Sequence, residues 1–394
     1  MNKNKLSKNV IVLGLVSFFN DFASEMVYPV VPIFLTTTLG APVAIVGLIE
    51  GIAELTASLL KVISGWFSDK FQKRKIFVVA GYSLSTLSKI VIGLAQSWPL
   101  VLFGRFADRF GKGARTSARD ALIAESTDGS IRGKAFGFHR AFDTLGAVIG
   151  PLAAVFLINY FGGNLRSIFY LAFIPGAVGV FLLLSLVKEE PSFEKTLPSP
   201  KISFKNLNPA FKIFLVSSIL FALGNSSDAF LILRAKNLGL TTSLAVFAYV
   251  VFNLFYALFS TPAGILSDKI GPKKLLGFGF FFFALIYFLF GFSQSVFLIW
   301  LLFALYGVYM AMTEGVGKAY ISQIGPKESL ATSFGVYQTL VGVCTFFASL
   351  AAGFLWSKIS PSAPFIFGAV LATIAGVIFL LFSQKHDLRR EVTR

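Results

Sequence analysis

Apolar residues fill this chain in runs of roughly twenty, broken by short polar stretches, and run length decides what each can be. A bilayer core takes about 20 apolar residues per helix, whereas a barrel strand alternates over about ten. Twelve runs meet the helical requirement, at residues 10–35, 43–66, 76–96, 99–121, 136–159, 167–187, 212–233, 243–266, 275–294, 296–319, 333–357 and 363–384. They predict an all-α integral membrane protein with twelve transmembrane helices. The short basic N-terminus runs straight into the first apolar stretch, with no small-residue cleavage site behind it. That stretch therefore reads as a retained span rather than a removed signal.

The longest polar stretch, Lys188 to Lys212, is rich in Pro, Ser and charge and falls between the sixth and seventh runs. It reads as a linker. The predicted organisation is an N-terminal six-helix bundle (1–187), a cytoplasmic linker (188–211) and a C-terminal six-helix bundle with a short cytoplasmic tail (212–394).

The two sets of six are related. Gly65, Ser68, Asp69, Lys70, Lys73 and Arg74 follow the second run, and Gly264, Ser267, Asp268, Lys269, Lys273 and Lys274 follow the eighth. Phe136-Gly137 and Phe334-Gly335 open similar stretches at nearly the same offset. A near-constant offset in like positions implies duplication of a six-helix unit. Two such halves, related by a pseudo-two-fold axis along the membrane normal, are a transporter architecture with the substrate site between them.

Composition agrees. Of 394 residues 55% are hydrophobic and 14% charged, against about 25% charged in soluble domains. The net charge of +16 is a topology signal. With the N-terminus inside, 26 of the 35 basic residues lie in cytoplasmic segments, four in external loops (Arg166, Arg234, Lys236, Lys358) and five within spans. The positive-inside rule then puts both termini in the cytoplasm and the protein in the cell membrane. The high pI is no sign of a nucleic-acid partner. One cysteine and two histidines rule out a disulfide framework and a Cys/His metal cluster. No phosphate-binding loop and no nucleophile–base set is visible, so the chain reads as neither an ATPase nor an enzyme of another kind, with no cofactor and no metal.

Gly-x-x-x-Asp-Lys/Arg-x-x-Lys/Arg-Lys/Arg between spans 2 and 3, with its second copy, resembles the cytoplasmic signature of the major facilitator superfamily. Gln72 departs from the family's glycine, while Gly271 keeps it in the second copy. Arg105 with Gly111 and Gly113 resembles the family's span 4 pattern associated with proton coupling, with Arg109 in place of its first glycine. Gly146, Gly150 and Pro151 resemble the antiporter signature of span 5, although Ala153-Ala154 replaces its Gly-Gly. The resemblance is nearest to the drug:proton antiporter-like branch. It implies a monomeric secondary transporter working by alternating access, with the signature loops as gating elements.

An ionisable residue at the bilayer centre costs about 2.5–3.5 kcal/mol on insertion scales and should face the interior or water. Span 1 carries Asp21 and Glu25, span 2 Glu50, Glu54 and Lys61, and span 3 Lys89. Span 4 carries Arg105, Asp108 and Arg109, and span 5 His139, Arg140 and Asp143. The second half offers Asn225, Asp228, Glu314 and Lys318. The pairs 21/25 and 50/54 are four apart, so each shares a helix face. In one reading the acids neutralise Arg105, Arg109 and Arg140 in a structural network. In the other, Asp21, Glu25 or Glu54 carries protons, with Arg105 modulating, and Asn225, Asp228 and Glu314 complete a cavity. The function expected is proton-coupled export of a small organic solute by alternating access, with the solute, protons and the lipid bilayer as partners. The alternatives are uptake or exchange of an organic anion held by the span 4 arginines, and a non-transporting membrane receptor.

Overall fold

The computed structural model describes residues 6–71, 73–127, 131–189, 209–325 and 330–392, and the regular elements among them are all helical. In chain order these are α1 (Lys8–Thr38), α2 (Val43–Phe71), α3 (Arg74–Leu94), α4 (Trp98–Glu125), α5 (Arg132–Tyr160) and α6 (Leu165–Leu186). There follow α7 (Pro209–Asn237), α8 (Thr242–Ile270), α9 (Pro272–Phe292), α10 (Val296–Ile324), α11 (Leu330–Lys358) and α12 (Ala363–Val392). Most of the expected linker, residues 190–208, lies outside the described residues.

Local chemistry sets the helix ends. Ser7 caps α1 by accepting from Val10 N, Asn164 caps α6 from Arg166 N, and Ser295 caps α10 from Leu298 N, the usual use of short polar side chains. Gly271, at φ 89°, turns the chain between α8 and α9, and Pro272 then opens α9.

Eleven of the twelve helices are long and apolar enough to cross a bilayer; α4 is not among them. The reason is its polarity pattern. Arg105, Asp108, Arg109 and Arg115 are buried, while Phe103, Phe106 and Phe110 are exposed. Such a helix hides its charge among its neighbours and offers phenylalanine to lipid, so average hydropathy misreports it.

The described residues fall into two compact units, one within Met1–Thr196 plus Thr241–Val250, the other within Leu197–Leu240 plus Val251–Arg394. In the first, α1 packs on α5 and α6, and α3 packs on α4 and α6. In the second, α7 packs on α11 and α12, and α9 packs on α10 and α12. The same four pairings recur six helices later.

In lipid, apolar burial gives little drive for helices to associate, so close packing must supply it. Gly81 of α3 and Gly111 of α4 face each other so closely that a Cβ on Gly81 would lie 2.6 Å from the Gly111 carbonyl. A dry knot of Val10, Leu13, Val16, Val78, Tyr82, Leu122 and Leu183 closes one end of the first unit.

Both α1 and α7 are broken, at corresponding places. α1 stops at Val27, turns through Pro29, and resumes as Val31–Ile33 and a π-helical segment, Phe34–Thr38. Thr36 and Thr37 hydroxyls take up the carbonyls of Pro32 (2.9 Å) and Ile33 (2.8 Å) there. α7 stops at Gly224 and resumes at Ala229, with the Ser349 hydroxyl accepting from Ser227 N at 3.2 Å. Interrupted helices in like positions of two repeats are where transporters of this build place their sites.

Candidate functional site

The break in α1 lies just beyond Asp21 and Glu25, and the charged face of α4 faces the same region. Arg105 makes two parallel hydrogen bonds to Glu50 of α2, Nε to Oε1 at 2.9 Å and Nη2 to Oε2 at 2.7 Å. Both side chains are almost fully buried, at 2% and 1% exposure. Fork-to-fork geometry of this kind is the strong form of an ion pair. Arg109 stands 3.5 Å from Glu54, and Lys89 of α3 stands 3.5 Å from Asp108. Lys89 also donates to the Ser85 carbonyl (2.8 Å) and to the Ser24 hydroxyl (3.3 Å). The guanidinium carbons of Arg105 and Arg109 lie 5.5 and 5.7 Å from the Tyr28 ring centre, within cation–π range. Arg115 donates to Ser85 Oγ at 2.7 Å and lies 4.4 Å above Tyr82.

Asp143 of α5 accepts from the Ser17 hydroxyl and lies 3.6 Å from Nδ1 of His139. His139 is buried at 4% exposure. Arg140, by contrast, is exposed on α5.

Asp21 and Glu25 differ from the other acids of the cluster. Among the described residues neither has a cationic nitrogen within 4.0 Å, whereas Glu50, Glu54 and Asp108 each face an arginine or lysine. Glu25 accepts from the Tyr249 hydroxyl at 3.2 Å, a residue of the same compact unit. Both acids, with Tyr28, Arg109, Lys112 and Arg115, border a polar crevice of about 10 Å³, room for about one water.

The antiporter-like residues of α5 pack on this part of α1. A Cβ on Gly146 would lie 2.7 Å from the Phe18 carbonyl and 3.1 Å from Asp21 Cβ. One on Gly150 would lie 2.7 Å from the Phe22 carbonyl and 2.9 Å from Glu25 Cβ. Pro151 is buried beside them.

Of the signature loop, the side chains of Gly65, Asp69 and Lys70 lie outside the described residues. Lys73 is exposed, and Arg74 is buried, donating to Ser68 Oγ (2.9 Å) and pairing with Glu125 (3.2 Å). The backbone N–H of Arg74 donates to Glu189. In the second copy Asp268 and Lys269 are exposed, and Gly264 has open space where a Cβ would stand.

In the second unit the candidates divide. Asp228 accepts from the Tyr306 hydroxyl at 2.8 Å. Asn225 and Glu314 instead border a cavity of about 170 Å³, and Glu314 accepts from the Tyr256 hydroxyl.

Two arginines counted as loop charge in the sequence lie in helices and do structural work. Arg234, 3% exposed, donates to the carbonyls of Phe290 (3.1 Å), Gly291 (3.2 Å) and Ser293 (2.9 Å), closing the C-terminus of α9. Arg166 donates to the Gly93 carbonyl at 2.8 Å at the end of α3. Cations at helix C-termini satisfy the last carbonyls and complement the helix dipole. Sequence reading also passed over Tyr28, Tyr256 and Tyr306. For Tyr28 and Tyr306 the signal was present, as tyrosines within apolar runs that also carry acids; the run of Tyr256 carries none.

The Major Facilitator Superfamily model matches residues 13–233 and 213–393. An uncharacterised MFS-type transporter of Methanocaldococcus jannaschii is 40% identical over 385 residues, covering 96% of each chain. The cis,cis-muconate transport protein of Acinetobacter baylyi is 26% identical over 348 residues, 83% of this chain and 82% of that one. A mutant of the nucleoside transporter NupG superposes with a TM-score of 0.79 at 14% identity, over 94% of this chain and 98% of that one. Fold and matches together define a multi-pass membrane transporter, not an enzyme. The chain belongs to the major facilitator superfamily.

Proposed function

We propose that this protein is a proton-coupled secondary transporter that exports a small organic solute by alternating access, with Asp21 and Glu25 carrying the protons. The observation behind this is the contrast among the acids of the first unit. Glu50, Glu54 and Asp108 sit opposite cations, so protonating any of them would strand a buried positive charge. Asp21 and Glu25 have no such clamp and border a crevice that admits about one water. They can change protonation without breaking an ion pair, and Arg105, fixed by Glu50, borders the same crevice. This reading favours Asp21 and Glu25 over Glu54, which faces Arg109 at 3.5 Å. The close fit of Gly146 and Gly150 against α1 supports the antiporter-like reading and hence export. The charge asymmetry supports a cell-membrane location with both termini in the cytoplasm, and the repeated six-helix unit supports the two bundles as the moving parts, with the signature loops as gates and the monomer as the working unit by family resemblance.

To test this, purified protein is reconstituted in liposomes holding a pH-sensitive dye, with an imposed pH gradient. A panel of organic amines, acids and neutral solutes is then added outside. Solute-dependent proton flux is expected in the wild type and lost in Asp21→Asn and Glu25→Gln. Flux unchanged in both variants overturns the assignment.

A second reading has one observation in its favour. The muconate transport protein resembles this chain along most of its length, which favours an organic acid as solute, held by Arg109, Lys112 and Arg115. Against it stand the small volume of the crevice they border and the carboxylate opposite Arg109.

A further inference from the structure

The second unit holds a cavity with both ring-sized volume and polar groups facing it. The cavity, of about 170 Å³, lies among α7, α9, α10 and α11. An engineered cavity of about 150 Å³ takes benzene, so a single aromatic ring fits here. Two stacked pairs contribute to its wall, Phe214 on Tyr337 (centroids 5.4 Å apart) and Phe221 on Phe280 (4.6 Å).

Hydroxyls of Ser218, Thr313 and Thr345 share the lining with two stronger acceptors, Asn225 and Glu314. The Asn225 side-chain oxygen is buried without a hydrogen-bond partner, and a buried acceptor left unsatisfied costs free energy until a donor arrives. Glu314 is the charged side chain in the lining. The Tyr256 hydroxyl fixes its Oε2. An entering anion would meet a carboxylate and five aromatic faces, all carrying negative potential. An ammonium group meets an acceptor, a carboxylate and ring faces that attract cations.

We infer that this cavity binds an organic amine, in its ammonium form, whose apolar body is about the size of one aromatic ring. The ammonium donates to Glu314 and Asn225, and the ring lies among Phe214, Phe221, Phe280 and Tyr337. This deepens the transport reading by naming its solute class, and it separates the solute site in the second unit from the proton carriers in the first.

The test is equilibrium binding to the purified full-length protein, with no gradient, of 2-phenylethylammonium and of 3-phenylpropanoate, its carboxylate counterpart. The amine is expected to bind saturably and to raise the melting temperature, with the acid at least tenfold weaker. Glu314→Gln should weaken the amine at least tenfold, and Asn225→Leu several-fold. The acid binding as well as the amine, or no amine binding at all, overturns the inference, as does Glu314→Gln leaving amine affinity unchanged. The comparison of the two ligands on unaltered protein decides the matter even where a variant fails to fold. Loss of proton coupling leaves this binding standing, so the two readings fail separately.

Discussion

Gly150 of α5 leaves the space that the backbone and Cβ of Glu25 on α1 occupy, since a Cβ on the glycine would stand 2.9 Å from Glu25 Cβ. Real side chains do not pack that closely, so the absence of a side chain at 150 fixes how near α5 comes to an acid of the proposed proton path.

Gly150→Val should therefore push the two helices apart, costing about 1–3 kcal/mol as overpacking does and lowering the melting temperature. Gly137→Ala, on the same helix with nothing within 4 Å of its Cβ site, should leave stability unchanged or raise it slightly, because alanine is the better helix former. Thermal unfolding of the two variants side by side reads the difference.

The Arg105–Glu50 pair predicts strong non-additivity. With both partners at 2% and 1% exposure, Glu50→Gln or Arg105→Met alone should cost about 3–5 kcal/mol by stranding a buried charge. The double variant should lose much less than the sum of the two. A double-mutant cycle on unfolding free energy measures this, and additive losses would show that the pair is not a unit.

Asp21→Asn should behave in the opposite way. No cation lies within 4.0 Å of this acid to be left unpaired, so stability should change by no more than about 0.5 kcal/mol. Solute-driven proton flux should fall at least tenfold. Unfolding and flux measured on one preparation separate a mechanistic loss from a structural one.

Arg234→Gln removes donors from three carbonyls at the end of α9. The expected cost is about 1–3 kcal/mol for buried acceptors left unsatisfied. Lys358→Gln, an exposed cation at a helix end, should stay within about 0.5 kcal/mol. Equal effects would refute the capping role.

The membrane-spanning helices and their number were legible because run length and charge placement are properties of the chain alone. The roles of the buried acids were not. Asp21/Glu25 and Glu50/Glu54 have the same spacing in the same kind of run. They differ only in what tertiary packing sets opposite them, since α4 pairs Arg105 and Arg109 with α2 and leaves the α1 acids without a cation within 4.0 Å. The placement of Arg234 was missed because an apolar run read as one span conceals a break. The break had a signal, the polar quartet Asn225-Ser226-Ser227-Asp228, as Pro29 and Pro32 did in α1. The aromatic cavity could not be read at all, for Phe221, Phe280, Tyr309 and Tyr337 come from four helices that only folding brings together.

The inverted polarity of α4 also bears on how the chain is built. Arg105, Asp108 and Arg109 crowd one stretch of a helix too polar to partition into lipid alone, at about 2.5–3.5 kcal/mol per charge. Its neutralising partners, Glu50 and Glu54, lie on α2 and Lys89 on α3, and both helices leave the ribosome earlier. Insertion of α4 thus depends on helices already waiting at the membrane. The ion pairs that order the finished bundle set the sequence in which it can be assembled.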